Sequence, residues 1–154
     1  MYLFDIKEYE MPTYDKVEWA KTKHQVGIFL SAYKISRERN GFSSLPKLTA
    51  EYTLMTIEAN EIQSSQKIDY QDFYKKEYVH LHRLFVLGYS SIVHPYRPEV
   101  TERRRKVFML RYLYGLNVST ISERIHYQKN IVVDDSKKTM LQFSRALNLL
   151  ELKK

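Results

Sequence analysis

Apolar positions along the 154-residue chain fall into two long helical stripes and then three shorter ones. In the first long stripe, Val26, Leu30 and Tyr33 share one face with Phe29 beside them. That spacing of three and four residues predicts a helix running to about Arg39. Asp15 followed by Glu18 reads as a capping pair at its start. Asn40-Gly41 closes it, because both tolerate the left-handed geometry of a C-cap. Ahead of this helix, Tyr2, Phe4 and Ile6 alternate with Asp5 and Lys7, a short extended arm that Pro12 ends. The second long stripe joins Phe73, Tyr74, Tyr78, Leu81, Leu84 and Phe85. Its helix starts at Asp69, with Ile68 and Phe73 as a hydrophobic staple and Asp72 near the positive helix end. Gly88 kinks or ends it, with a short continuation to Val93. Between the two lies FSSLPKLTAEYTLMTIEANEIQSSQK, an irregular segment whose Leu45, Leu48, Tyr52 and Met55 pack onto the helices. A helical turn is expected near Thr56–Ile62, and mobility around Gln63–Gln66.

The stretch HPYRPE holds two prolines in four residues and predicts a boundary between a helical unit, 1–94, and a second unit, 98–154. Pro98 suits the first turn of the next helix. Residues 98–114 read as one helix with Val100, Val107, Leu110, Leu113 and Tyr114 inward. Gly115 caps it, and Leu116 and Val118 plug the turn. Ser119 caps a short helix that turns Ile121 and Ile125 inward. After the turn HYQKN, a longer helix carries Val132, Met140, Phe143, Leu147 and Leu150. A chain that breaks its helix twice within "YLYGLNVSTISERIHYQKN" is aiming the last helix, and the pattern is a helix-turn-helix. The fold class expected is therefore all-α.

Charge sharpens this reading. The formal net charge is +7, but residues 1–97 contribute only +1 and residues 98–154 contribute +6. A basic surplus in one segment points to a polyanion, nucleic acid foremost. Gln128, Lys129 and Asn130 stand where a reading helix enters the major groove, and their side chains can bond base edges. Arg103, Arg104 and Arg105, with Ser119 and Thr120 at a helix amino end and Lys138, are the phosphate candidates.

Other chemistries find little support. There is no cysteine, hence no disulfide and no thiolate metal site. Glu77 and His80 form a single ExxH, with His82 nearby, whereas a di-iron bundle needs two such motifs, so a surface pair or a hydrogen-bonded core histidine is the expectation. Neither a nucleophile elbow nor a glycine-rich phosphate loop is present. No enzyme activity, cofactor or metal is expected. No apolar run reaches the roughly 20 residues that span a bilayer, and the acidic, aromatic N-terminus does not read as a signal peptide. A soluble, cytoplasmic protein is expected. Tyr2, Phe4, Tyr9, Tyr14 and Trp19 crowd the N-terminus, either as a sticky partner-binding arm or folded back on their own domain.

The segment RRRKVFMLRYLYGLNVSTISERIHYQKNIV, with KKTMLQFSRAL after it, resembles the C-terminal part of ArpU-type phage transcriptional regulators. The shared features are an Arg-rich helix, an RYLxGLxV turn, an ISERIxY helix and a KKxxL ending. Leu45–Tyr52 is similar to the family's LPKLTAEY-like segment. The resemblance implies a C-terminal unit like region 4 of sigma factors, encoded by a phage or prophage and controlling late genes. It also implies a reading helix that starts at Gln128 and exposes Lys129, Asn130, Val133, Asp134 and Lys137. Two departures stand out: His126 replaces the usual glycine of the tight turn, and Asp134 and Asp135 replace basic or apolar residues. Asp135 falls where a helix-turn-helix buries an aliphatic side chain.

The function expected is a sequence-specific DNA-binding transcriptional activator in the host bacterial cytoplasm. Its expected partners are promoter duplex DNA, host RNA polymerase, a second copy of the chain and a small protein modulator. The alternative is a sigma-like module that docks on RNA polymerase or sigma without reading DNA.

Overall fold

The computed structural model describes residues 3–46 and 69–154, and the described residues are predominantly helical. The expected elements at Leu48, Tyr52, Met55, Thr56–Ile62 and Ile68, together with Tyr2, lie outside them. In chain order come α1 (Ile6–Tyr9), a 3-10 turn (Tyr14–Lys16), α2 (Trp19–Arg39), α3 (Asp69–Ser90), α4 (Pro98–Phe108), α5 (Val118–Ile125) and α6 (Lys129–Ala146). The arm expected to be extended instead makes the single turn α1. Asp15 belongs to the 3-10 turn, and Glu18 is the N-cap of α2 without any side-chain bond, so the expected capping pair does not form.

Helices α2 and α3 run antiparallel. Tyr33 meets His82, Arg37 meets Tyr78, and Asn40 donates to the Tyr74 carbonyl, so one helix's numbers rise as the other's fall. Asn40 and Gly41 end α2 as the sequence predicts, with Gly41 at φ +78°. Gly88 does not end α3, which runs on to Ser90. Its missing side chain makes room for Phe143 of α6: a Cβ there would lie 2.6 Å from the ring.

That ring is the centre of the core. Phe143 stacks on Phe108 at 4.7 Å and meets Phe85 at 5.9 Å and Phe29 at 6.1 Å, joining α2, α3, α4 and α6. The main apolar cluster includes Leu30, Tyr33, Phe85, Ile92, Met109 and Met140. It therefore crosses the HPYRP turn, which redirects the chain without dividing the core. A second cluster, Val107, Leu110, Ile121, Ile125 and Val132, belongs to the last three helices alone.

Pro98 occupies the first turn of α4 as expected. The helix does not continue as regular α to residue 114. Met109–Leu113 widens into a π turn, in which the Tyr114 N–H donates to the Met109 carbonyl. Tyr114, expected inside, is half exposed. The termini are clasped: the Glu18 N–H donates to the Glu151 carbonyl at 2.9 Å, and the Lys153 N–H to the Lys16 carbonyl at 2.9 Å. No helix among the described residues is long and apolar enough to cross a membrane.

Candidate nucleic-acid interface

The last three helices are joined by tight turns whose geometry the sequence dictates. Gly115 takes φ +73° after the π turn, and Lys34 of α2 donates to the freed Leu113 carbonyl at 2.7 Å. The cap of α5 is Asn117, whose Oδ1 accepts from the Thr120 N–H at 2.8 Å. Ser119, expected in that role, is exposed one residue inside the helix. Helix α5 ends at His126 in the left-handed conformation, φ 61° and ψ 41°. A histidine there bears a strain that glycine would not.

Three residues later α6 begins. Gln128, Lys129 and Asn130 are all exposed, and no side chain caps the first turn. Val133 is 39% exposed and Lys137 is exposed. Asp134 is half exposed and pairs with Lys138 one turn on, at 2.8 Å. Lys138 is thus partly neutralised, which weakens its expected use as a phosphate contact.

The basic block of α4 needs correction. Arg103, Arg104 and Arg105 do not face outward. Arg103 makes a bidentate pair with Asp135, Nε to Oδ2 at 2.6 Å and Nη2 to Oδ1 at 3.1 Å, and lies 5.0 Å from the Tyr127 ring centre. These bonds to Asp135 hold the Arg103 guanidinium above its usual pKa. Arg104 is buried, 3.6 Å from Asp135, and donates to the Val93 carbonyl. Arg105 donates to the Ile92 and Ser90 carbonyls. For Arg103 and Arg104 the reason is Asp135 itself, 1% exposed: a buried carboxylate requires cations and donors around it. The three arginines rivet α4 to α6, to the α5–α6 turn and to the end of α3, and are not free for phosphate.

The N-terminal aromatics divide. Phe4 and Tyr9 pair edge-to-face at 5.5 Å and remain exposed. Tyr14 and Trp19 belong to the body, the second of the two alternatives the sequence leaves open. The Trp19 indole donates to the Tyr14 carbonyl at 3.0 Å, and its ring packs against the main core. The Tyr14 ring lies over α6: its hydroxyl is 3.5 Å from Asp134, and Lys137 Nζ stands 5.9 Å from its centre. Burial, with the charge of Asp134, pushes the Tyr14 hydroxyl up to about 12.

No family model, curated protein or solved structure matches the chain. The interface is therefore read from its own residues. Tyr14, Tyr127 and Arg124, exposed on α5, complete the surface around the amino end of α6. The sequence gives no sign that Tyr14 meets Asp134, 120 residues away. The oddness of an acid at position 135, beside three arginines awaiting a role, was the legible sign of the buried pair.

Proposed function

We propose that the chain is a sequence-specific DNA-binding transcriptional regulator of the ArpU type, phage- or prophage-encoded and activating late genes. In this reading α6 enters the major groove with Gln128, Lys129 and Asn130, and α5 lies across the phosphate backbone. The observation that carries it is the exposed, uncapped amino end of α6, which follows a tight left-handed turn and offers two amides and a lysine to solvent. Such side chains match the donor and acceptor pattern of base edges. The free N–H groups of the first turn suit phosphate. With the α4 arginines internal, the salt-dependent part of binding falls to Lys129, Lys137, Arg124 and the exposed lysines of the terminal clasp, Lys16 and Lys153.

Sequencing genomic fragments bound by the purified chain tests the reading and supplies a site. On that site, Asn130→Ala is expected to lose roughly 1–3 kcal/mol of discrimination at one base step. Lys129→Ala is expected to reduce the salt slope by about one. Equal losses on specific and random duplexes would refute base reading by Asn130.

One observation favours the second reading, a module that docks on RNA polymerase or sigma: exposed Val133 adjoins Asp134, an acid that repels phosphate. Co-sedimentation with polymerase and no enrichment of any DNA fragment would establish it instead.

A further inference from the structure

The exposed face of α6 carries an acid, Asp134, beside the residues proposed to read bases. Asn130, Val133, Asp134 and Lys137 recur at three and four residues and therefore share one face of the helix. All four reach solvent, Asp134 with 47% of its side chain exposed. Two donors hold this carboxylate in place. Lys138 bonds Oδ2 at 2.8 Å, and the Tyr14 hydroxyl donates toward Oδ1 at 3.5 Å. Tyr14 is itself fixed. Its carbonyl accepts from the Trp19 indole at 3.0 Å, its ring meets the Trp19 ring edge-on at 5.8 Å, and the bridge between Val17 and Leu152 anchors the segment just beyond it. Because the Tyr14 hydroxyl is pushed up to about 12, it keeps its proton at neutral pH and remains a donor.

An ionised carboxylate only accepts, at about two lone-pair positions on each oxygen. Tyr14 and Lys138 use one on each, which leaves one on each for a donor outside the protein. In the major groove only the cytosine and adenine amino groups donate. Adenine sets the acceptor N7 beside its amino group, which a carboxylate opposes, whereas cytosine presents the amino group alone. Asn130, one turn earlier, has both a donor and an acceptor and suits adenine. Four residues of helix rise about 6 Å and stacked bases lie about 3.4 Å apart, so the two side chains meet base pairs one or two steps apart. We propose, resting on the DNA-binding reading of α6, that Asp134 reads cytosine in the major groove and that Tyr14 is the positioning residue that holds its carboxylate for this contact.

The sequence that the full chain selects from random duplexes is expected to hold an adenine and a cytosine one or two base pairs apart. Asp134→Asn keeps the size of the side chain. It is expected to lose about tenfold in preference for that cytosine and to turn toward adenine there, while the rest of the site persists. Tyr14→Phe keeps the ring, and with it the Lys137 contact, but removes the donor. It is expected to lower discrimination at the cytosine step several-fold, with affinity for random duplexes unchanged. If no sequence is selected, the DNA-binding reading falls and this assignment with it. A selected site that Asp134→Asn leaves unaltered, while every duplex is bound more tightly, overturns the assignment alone: the acid then only repels phosphate, and α6 still reads DNA. A Tyr14→Phe chain weakened equally at all positions, or at none, overturns the positioning role.

Discussion

Asp135, a buried carboxylate, and His126, a left-handed non-glycine residue, are the two unusual positions in the last three helices, and each is answered locally. A carboxylate with 1% exposure is tolerable only because Arg103 and Arg104 approach it together. Asp135→Leu restores the aliphatic residue type expected at that position but strands two cations. It is expected to destabilise the fold by about 3–5 kcal/mol in chemical denaturation. A Tm at or above wild type would show that both arginines can swing out to water. For the same reason, replacing Arg103 is expected to change stability more than the salt slope of the proposed DNA binding. At His126 the strain runs the other way. His126→Gly relieves a left-handed residue while adding freedom to the unfolded chain, so a net gain of about 0.5–1 kcal/mol is expected, checked by the shift in Tm.

Among the elements, α4 and α3 show how packing overrides periodicity. The stripe over 98–114 reads as one α-helix, yet the π turn at Met109–Leu113 sends neighbouring residues to different clusters, Met109 to the main core and Leu110 to the core of the last three helices. An extra residue in one turn permits this, and five residues are too few for such a shift to register in a periodic pattern. Gly88 is the converse case. As a helix-interior glycine it signals a break, but α3 passes through it to Ser90. Gly88→Ala would gain about 1 kcal/mol in helix propensity. It would also force a methyl to 2.6 Å from the buried Phe143 ring. Overpacking costs about 1–3 kcal/mol, so a net loss is expected in thermal unfolding, with Phe143→Leu in the same chain recovering part of it.

Across the whole molecule, the His82 ring is held in the α2–α3 interface, its Nδ1 2.7 Å from the Tyr33 hydroxyl. Burial, and then the charge of Arg37, lowers its pKa from 6.5 to about 4. The unfolded chain therefore binds a proton that the folded chain refuses between these values. Stability present at neutral pH is lost as pH falls through that window, by up to about 3.5 kcal/mol at about 1.4 kcal/mol per unit. His82→Gln is expected to flatten the slope between pH 4 and 6.5, and an unchanged slope would mean that the ring reaches water. By itself the sequence determined the all-α class, the C-terminal end of α2, the start of α3, Pro98, the inward Ile121, Ile125 and Val132, and the polar amino end of α6. Each of these is set by neighbours three or four residues away, which spacing and turn chemistry report directly. Only the tertiary structure decided that the core crosses the HPYRP turn, that Arg103 and Arg104 point inward to Asp135, and that Tyr14 lies on α6. Those contacts join residues some 30 to 120 positions apart, and no local pattern can encode which of several exposed or buried partners a charged or aromatic side chain will meet.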